Sequence, residues 1–232
     1  MFLSLLLFPV TINYLSPYIP VAGAADGIIA GSLIVFALLA ITAIVFGRAF
    51  CGWFCPVGSV QDICMDSRTK RITSRWVNWI KYAIFIPWIS LVIVLLTKAG
   101  KNLSVNLLYM IENGVSVDSP GGLIRFYMIA LPIVALAYLF GRRVFCHSLC
   151  WIAPFLIVGS KLRTILHIPG PSLNLISDKC TSCKACVNVC PMSLDVRSMV
   201  KAKDMKNSEC ILCGKCADTC KSKVIGFGFN YK

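Results

Sequence analysis

The chain has 232 residues, of which 57% are hydrophobic and only 14% charged, with a mean hydropathy of +0.77. That balance excludes an ordinary soluble domain and places the chain among integral membrane proteins. A formal charge of +13 would suit a nucleic-acid binder, but no Lys or Arg precedes Arg48. The basic residues are banked in particular loops, so the positive-inside rule accounts for them and nucleic acid is not an expected partner.

Met1 to Pro20 is apolar but holds Asn13, Pro9 and Pro17, and is expected to be a first, irregular membrane span. It resembles a signal hydrophobic region ending near Ala22-Gly23-Ala24 without the basic start such a signal needs, which points to a start upstream. Gly27 to Gly47 is 21 residues without a charge, about 31 Å as a helix, and reads as the second span. Gly27 and Gly31 form a GxxxG that is as readily chance as a helix-packing face. Arg48 to Lys81 carries six basic residues against Asp62 and Asp66 and reads as an inside loop. Tyr82 to Thr97 is a span broken by Pro87, and Lys98 to Gly121 is the outside loop. Phe126 to Phe140, around Pro132, is the fourth span, with Arg125 placed to snorkel to the interface. Gly141 to Ile165 has four basic residues and no acid, so it returns inside. Within it, Lys161 begins an amphipathic stretch to Ile168 expected on the membrane surface, and Pro169-Gly170-Pro171 opens a linker.

The last third carries the densest chemistry. Cys180, Cys183, Cys186 and Cys190 read C-x-x-C-x-x-C-x-x-x-C before Pro191; Cys210, Cys213, Cys216 and Cys220 repeat the spacing before Lys221. Structural zinc takes thiolates in C-x-x-C pairs and has no use for the fourth cysteine of each run, and disulfide frameworks belong to secreted domains. The spacing is that of a two-cluster bacterial-type ferredoxin, whose fourth cysteine ligates the other cluster. The expected ligands are Cys180, Cys183, Cys186 and Cys220 for cluster I, and Cys210, Cys213, Cys216 and Cys190 for cluster II, both [4Fe-4S]. From Asp178 onward ten Lys and Arg stand against five Asp and Glu, a balance that raises cluster potentials and favours an acidic partner or an anionic surface.

Two further cysteine pairs follow the second and fourth spans. Phe46-Gly47-Arg48-Ala49-Phe50-Cys51 leads on to Cys55-Pro56, and Phe140-Gly141-Arg142-Arg143-Val144-Phe145-Cys146 to Cys150-Trp151. Each half of the membrane domain is thus a hairpin ending in the same device, which predicts a pseudo-two-fold arrangement. Residues i and i+4 share a helix face, so the two pairs together offer four thiolates, with Arg48, Arg142 and Arg143 to offset their charge. Three readings stand open: a third Fe–S cluster, a redox-active thiol pair or another soft-metal site such as copper, and inert buried cysteines. His147 reads as a ligand, a proton carrier or a solvated side chain, and Cys64 as structural. The expected fold is an α-helical membrane domain over residues 1–168, with about four transmembrane helices in two pseudo-repeated hairpins. A small α+β bacterial-type 2[4Fe-4S] ferredoxin domain over residues 169–232 follows it.

The pairs Cys51/Cys55 and Cys146/Cys150, followed by the double ferredoxin motif, resemble the NapH/MauN-type membrane ferredoxins, within the polyferredoxin family that includes CcoG-type and NosR-type proteins. The resemblance runs from about Leu7 to Cys220 and departs at Trp151 and Lys221, where proline is common. It implies a multi-pass protein of the cytoplasmic membrane with its ferredoxin domain on the cytoplasmic side. Such a protein passes single electrons between a quinol pool or a cytoplasmic donor and a partner redox enzyme. It works as a component of an oxidoreductase complex more than as a stand-alone enzyme. Two other functions compete: a copper-reducing maturation factor for another metalloenzyme, and a membrane redox sensor. No GxGxxG, Walker or C-x-x-C-H motif occurs, so neither a nucleotide nor a c-type haem is expected. Quinone is a possible further partner without an assignable pocket, because Trp53, Trp79, Trp88 and Trp151 read equally as interfacial anchors.

Overall fold

The computed structural model describes residues 6, 8–65, 71, 72, 74, 76–100, 103–111 and 120–230. Asp66, Arg68, Lys70 and Arg75 of the basic loop, Lys101, Glu112 and Asp118 of the outer loop, and the Arg125 side chain lie outside the described residues.

The N-terminal apolar segment divides into α1 (Phe8–Thr11), a 3-10 turn (Asn13–Leu15) and α2 (Tyr18–Ala25). Pro17 heads α2, where its missing N–H costs no helical bond, but the break before it leaves carbonyls without helical partners. Two indoles satisfy them: Trp151 Nε1 donates to Leu15 O and Trp88 Nε1 to Pro17 O, both at 2.8 Å. These tryptophans therefore face inward rather than anchoring an interface. Phe8, Ile12, Leu15 and Ile19 are buried, so the segment lies against the core.

β1 (Ile28–Ala30) pairs in parallel with a strand between the two long helices, Ile28 lying opposite Ser104. That bridge delays the next helix, α3 (Gly31–Phe46), which has 16 residues and is about 24 Å long. It is shorter than the uncharged run suggested. Gly27, at φ +71°, turns the chain before β1, and a Cβ on Gly31 would stand 2.2 Å from Leu107 O. The GxxxG thus serves a turn and a close backbone contact, not a helix-packing face.

The stretch expected as an inside loop contains α4 (Ala49–Trp53) and α5 (Pro56–Met65). α6 (Val77–Ala99) starts before Tyr82 and runs unbroken through Pro87. β2 (Ser104–Asn106) follows, and α7 (Pro120–Phe140) contains Pro132 within its length. At 23 and 21 residues, α6 and α7 are long and apolar enough to cross a membrane. Only 11% and 12% of their most apolar windows are buried inside the protein, which leaves them apolar outward surfaces suited to lipid.

α8 (Val144–Ser148) and α9 (Ile152–Ile165) repeat α4 and α5. The two copies exchange helices: α9 packs on α3, and α5 on α7. Gly159 permits the first crossing, since a Cβ there would meet Ala40 O at 2.5 Å and Ala43 Cβ at 2.8 Å. Phe36, Phe85, Trp88 and Phe155 fill the space beside it with ring centroids 4.9–6.2 Å apart. The stretch from Lys161, expected to lie on the membrane surface, is the tail of α9, whose Ile152, Ala153, Leu156 and Ile157 are buried. It is held by the core packing of its own first turns.

The C-terminal unit closes with β3 (Gly170–Leu175) antiparallel to β4 (Ile225–Asn230), in register from Gly170↔Asn230 to Leu175↔Ile225. Between them lie α10 (Ala185–Val189), α11 (Val196–Lys201) and α12 (Lys215–Asp218). Left-handed backbone at Ser182, Lys184 and Ser193 recurs at Leu212, Gly214 and Lys223. The offset is the one separating Cys180 from Cys210, so the cysteine repeat is also a backbone repeat.

Candidate functional site

All twelve cysteines singled out in the sequence fall into three sets, each around one cavity. Cys180, Cys183, Cys186 and Cys220 line one of about 110 Å³. Cys190, Cys210, Cys213 and Cys216 line a second of about 20 Å³. In both, the fourth cysteine of one run joins the triplet of the other. The left-handed turns aim N–H groups at sulfur in matching places: Ala185 donates to Cys183 and Lys215 to Cys213. Val224 N–H donates to Cys220 Sγ at 3.4 Å. Burial pushes the Cys210 thiol up to about 11 and Cys216 to about 12, against N–H bonds that pull the other way. Such thiols lose their protons to a metal rather than to water.

Cys51, Cys55, Cys146 and Cys150 line the third cavity, of about 30 Å³, and are 7%, 8%, 6% and 9% exposed. Phe50 O accepts from Phe54 and Cys55 N–H, and Phe145 O from Leu149 and Cys150 N–H, all four at 2.9 Å. The two short helices thus end identically, and both bring their cysteine pairs to the same cavity. Gln61, fully buried, donates from Nε2 to Cys146 Sγ at 3.2 Å and accepts Phe145 N–H at 3.0 Å. Burial raises the thiols of Cys55 and Cys146 and pushes Cys150 up to about 12, so four bare thiolates would not coexist here without positive charge. Arg48 and Arg143 supply it. Burial opposes both guanidinium charges, yet the neighbouring cysteines and one carboxylate each hold them above the ordinary arginine value.

Among the described residues, no three His, Cys, Asp or Glu side chains converge on a point that a single metal ion could occupy. Sets of four thiols around cavities suit a multi-iron cluster, in which the ligands take different irons. Arg48 lines the third cavity with its Nε and Nη2 lacking hydrogen-bond partners, donors that an anionic group would satisfy.

The C-terminal unit does not hang from a linker; it is docked on the membrane-side repeats. Glu209, next to Cys210, accepts from Arg48 Nη1 at 2.7 Å and from Lys81 Nζ at 2.6 Å. Arg143 Nε binds Asp62 at 2.6 Å and its Nη1 binds Cys51 O at 2.7 Å, while Lys215 reaches Asp62 at 3.2 Å. Trp53 Nε1 donates to Leu212 O at 3.0 Å, and Arg71 Nη2 to Ser193 O at 3.0 Å. A Cβ on Gly52 would stand 2.4 Å from Ile211 O and 3.3 Å from Cys213 Cα. Only glycine lets the helix carrying Cys51 lie against the loop carrying Cys213. Much of the basic bank after Arg48 therefore faces protein.

Arg142 turns from the third set toward Cys190 O, at 3.5 Å. His147 is buried rather than solvated, with Nδ1 2.8 Å from Asn78 Oδ1, and it is not among the side chains lining the cavity. Burial lowers it to about 4, so it is neutral at pH 7. Cys64 is half-buried on α5 outside the cavity wall. Sequence reasoning missed Gln61 and Glu209 altogether. Glu209 did leave a signal, as an acid beside a ligand cysteine in a strongly basic chain.

The 4Fe-4S binding domain family matches residues 28–74 and again residues 124–169, once on each membrane-side repeat, and the 4Fe-4S dicluster domain family matches residues 172–221. The chain is 29% identical over 201 residues to the ferredoxin-type protein NapH of Haemophilus influenzae, covering 82% of this chain and 65% of that protein. It is 28% identical over 200 residues to NapH of Escherichia coli, covering 84% and 65%. Over 139 residues it is 27% identical to the regulatory protein NosR of Pseudomonas aeruginosa, covering 56% of this chain and 19% of that protein. The chain thus spans just under two thirds of the length of the NapH relatives. No solved structure matches it.

Proposed function

We propose that the chain, similar over most of its length to NapH-type ferredoxin proteins, is a membrane-anchored electron-transfer subunit of that polyferredoxin type holding three iron–sulfur clusters. Cys180, Cys183, Cys186 and Cys220 hold one [4Fe-4S] cluster, and Cys210, Cys213, Cys216 and Cys190 the second. Cys51, Cys55, Cys146 and Cys150 hold the third, and the double match of the 4Fe-4S binding domain to the membrane-side repeats supports this assignment over a thiol pair. One observation carries the proposal: three four-cysteine cavities in series, joined through a packed junction.

When bound, the clusters supply one-electron chemistry at potentials set by charge, burial and N–H···S bonds. The chain does the rest. α10 carries Cys186 of the first set, and Cys190 of the second follows directly after it, which fixes their separation. Gly52 brings the second set's loop against the third set's helix. Arg48 and Arg143 hold positive charge beside anionic thiolates in a dry site. Cys180 and Cys183 are exposed while the third set is buried, so a protein partner docks at the first set and the path runs inward from it.

In this proposal the chain crosses the membrane about four times, with the C-terminal ferredoxin domain, from residue 169, on the cytoplasmic side. α6 and α7 are the principal spans, and the short α3 and the broken N-terminal segment pack within the bundle. Electrons pass between a quinol pool or cytoplasmic donor and a partner redox enzyme in a larger complex.

The test is iron and acid-labile sulfide per chain on anaerobically purified protein, in wild type and in a variant with Ser at positions 51, 55, 146 and 150. Two cubanes contribute about eight irons. An excess of about four in wild type that vanishes in the variant supports the third cluster. Equal iron in both samples sinks it, and copper in place of the excess would favour a metal-reducing maturation role.

A further inference from the structure

A cavity of about 200 Å³ opens at the junction, between the end of α3, the last turns of α9 and the segment before Cys210. It is roomier than the cavities at the cysteine sets, with which it shares Cys210 and Arg48 as wall residues. Arg48, Lys161, Arg163 and Lys206 line it, and among the described residues no carboxylate does. The charge around it does not cancel: Glu209 answers Arg48 from outside the wall and is already shared with Lys81. Arg48 is 1% exposed, and among the described residues its Nε and Nη2 have no partner. Arg163 gives Nε and Nη1 to the carbonyls of Ile168 and Pro171 and, among the described residues, meets no acid. Among the described residues, Lys161 and Lys206 enter no ion pair either. Ser160, Thr164, Asn207 and Ser208 add neutral donors to the wall. Lys161 and Lys206 are exposed and solvated, but the unpaired Nε and Nη2 of Arg48 are buried; leaving such donors unsatisfied is costly, and a bound anion relieves that cost.

We infer that this cavity binds a phosphate group, carried by an anionic phospholipid headgroup or by free phosphate. Size favours that chemistry. About 200 Å³ holds a phosphate and its nearest substituents but falls below the roughly 300–1,000 Å³ that enclose a whole larger organic ligand, so only the phosphate end of a phospholipid would enter. Position favours it too. The apolar helix α3 ends at Phe46 and Gly47 lies on the cavity wall, the level at which headgroups meet basic pockets between helices. The site goes beyond electron transfer, and Arg48 stands between it and the third cysteine cavity.

The test titrates the full chain in detergent, with its iron content verified, against phosphatidylglycerol, phosphatidylcholine and inorganic phosphate. Bound lipid is read by native mass spectrometry and bound phosphate by phosphorus NMR. Lys161→Gln/Lys206→Gln removes two exposed cations of the wall, and Lys201→Gln/Lys223→Gln removes two exposed cations outside it. We expect wild type to prefer phosphatidylglycerol to phosphatidylcholine, the wall variant to bind about thirtyfold more weakly, and the control to match wild type. The same loss with inorganic phosphate, without a lipid preference, would assign the site to the free anion. Equal binding by wild type and wall variant, or an equal loss in the control, overturns the proposal. Should the wall variant lose iron, Thr164→Leu replaces it by filling the cavity without touching its charges, and undiminished binding there is equally fatal.

Discussion

Glu209→Gln keeps the side chain's shape and removes its charge. Two cations then lose their shared carboxylate: Arg48 at 2.7 Å and Lys81 at 2.6 Å, only 1% and 0% exposed. Breaking a buried pair by removing one partner costs about 3–5 kcal/mol, because the other charge stays buried. Glu209 is 14% exposed, which admits water and puts the expectation near the lower end, about 3 kcal/mol. At 1.4 kcal/mol per factor of ten, the junction should open about a hundredfold more often. Amide hydrogen exchange on the solubilised protein measures this directly. Exchange at 208–212 and 49–53 should rise about a hundredfold, while the contact of α3 with α9 keeps its protection. Adding Lys81→Met should recover part of the loss, since it removes one of the stranded charges. A rise below about fivefold would mean that the pair behaves as an exposed one worth about 0–1 kcal/mol, and the docking account would be wrong.

Gln61→Leu removes both the donor to Cys146 Sγ and the acceptor for Phe145 N–H. It should cost about 1–3 kcal/mol and change the spectrum of the third set while leaving the ferredoxin signals intact; an unchanged spectrum would remove Gln61 from the site. Gly52→Ala forces a Cβ to within 2.4 Å of Ile211 O, so exchange at 208–213 should quicken by one to two orders of magnitude, from roughly 1–3 kcal/mol of overpacking. Wild-type protection there would show that the approach is not tight. Asp62 should govern acid sensitivity of the junction. Burial raises it, but Arg143 and Lys215 outweigh burial and hold it below the usual carboxylate range. Its contribution is therefore complete above the ordinary Asp pKa of about 3.9 and is lost only as pH falls through the depressed folded value. Junction exchange, corrected for intrinsic rates, should be flat from pH 7 to 5 in wild type and faster throughout in Asp62→Asn; a wild-type rise near pH 6 would assign the sensitivity elsewhere.

Ligand spacing is a local property, and it was legible. The two-cluster ferredoxin spacing predicts that each run's fourth cysteine joins the other triplet, and the cavities group Cys220 with the first triplet and Cys190 with the second. The internal repeat was equally plain, since Phe46-Gly47-Arg48 and Phe140-Gly141-Arg142 are written out in order, and it predicted that Cys51, Cys55, Cys146 and Cys150 would share a site. Hydropathy found α6 and α7, although the proline rule misjudged α6, where the helix accommodates Pro87 without a break. It overestimated α3, because β1 takes its first residues into a bridge with a strand far away in sequence.

What the order of residues could not reveal was which charge meets which. Arg48 and Lys81 look like topology signals until Glu209, more than 120 positions further on, closes on both. Arg143 reads as a counter-charge to the thiolates, and it also grips Asp62 on the other repeat. Gln61 carries no motif, and Gly52 looks incidental until Ile211 lies against it. Composition and spacing determined the three cysteine sets and the membrane character of the chain, because each depends on neighbours a few residues apart. The docking of the ferredoxin unit, and with it the series of cavities and the basic pocket beside Cys210, was decided by tertiary packing. Most of those contacts pair residues separated by more than a hundred positions, and nothing in their local sequence specifies the partner.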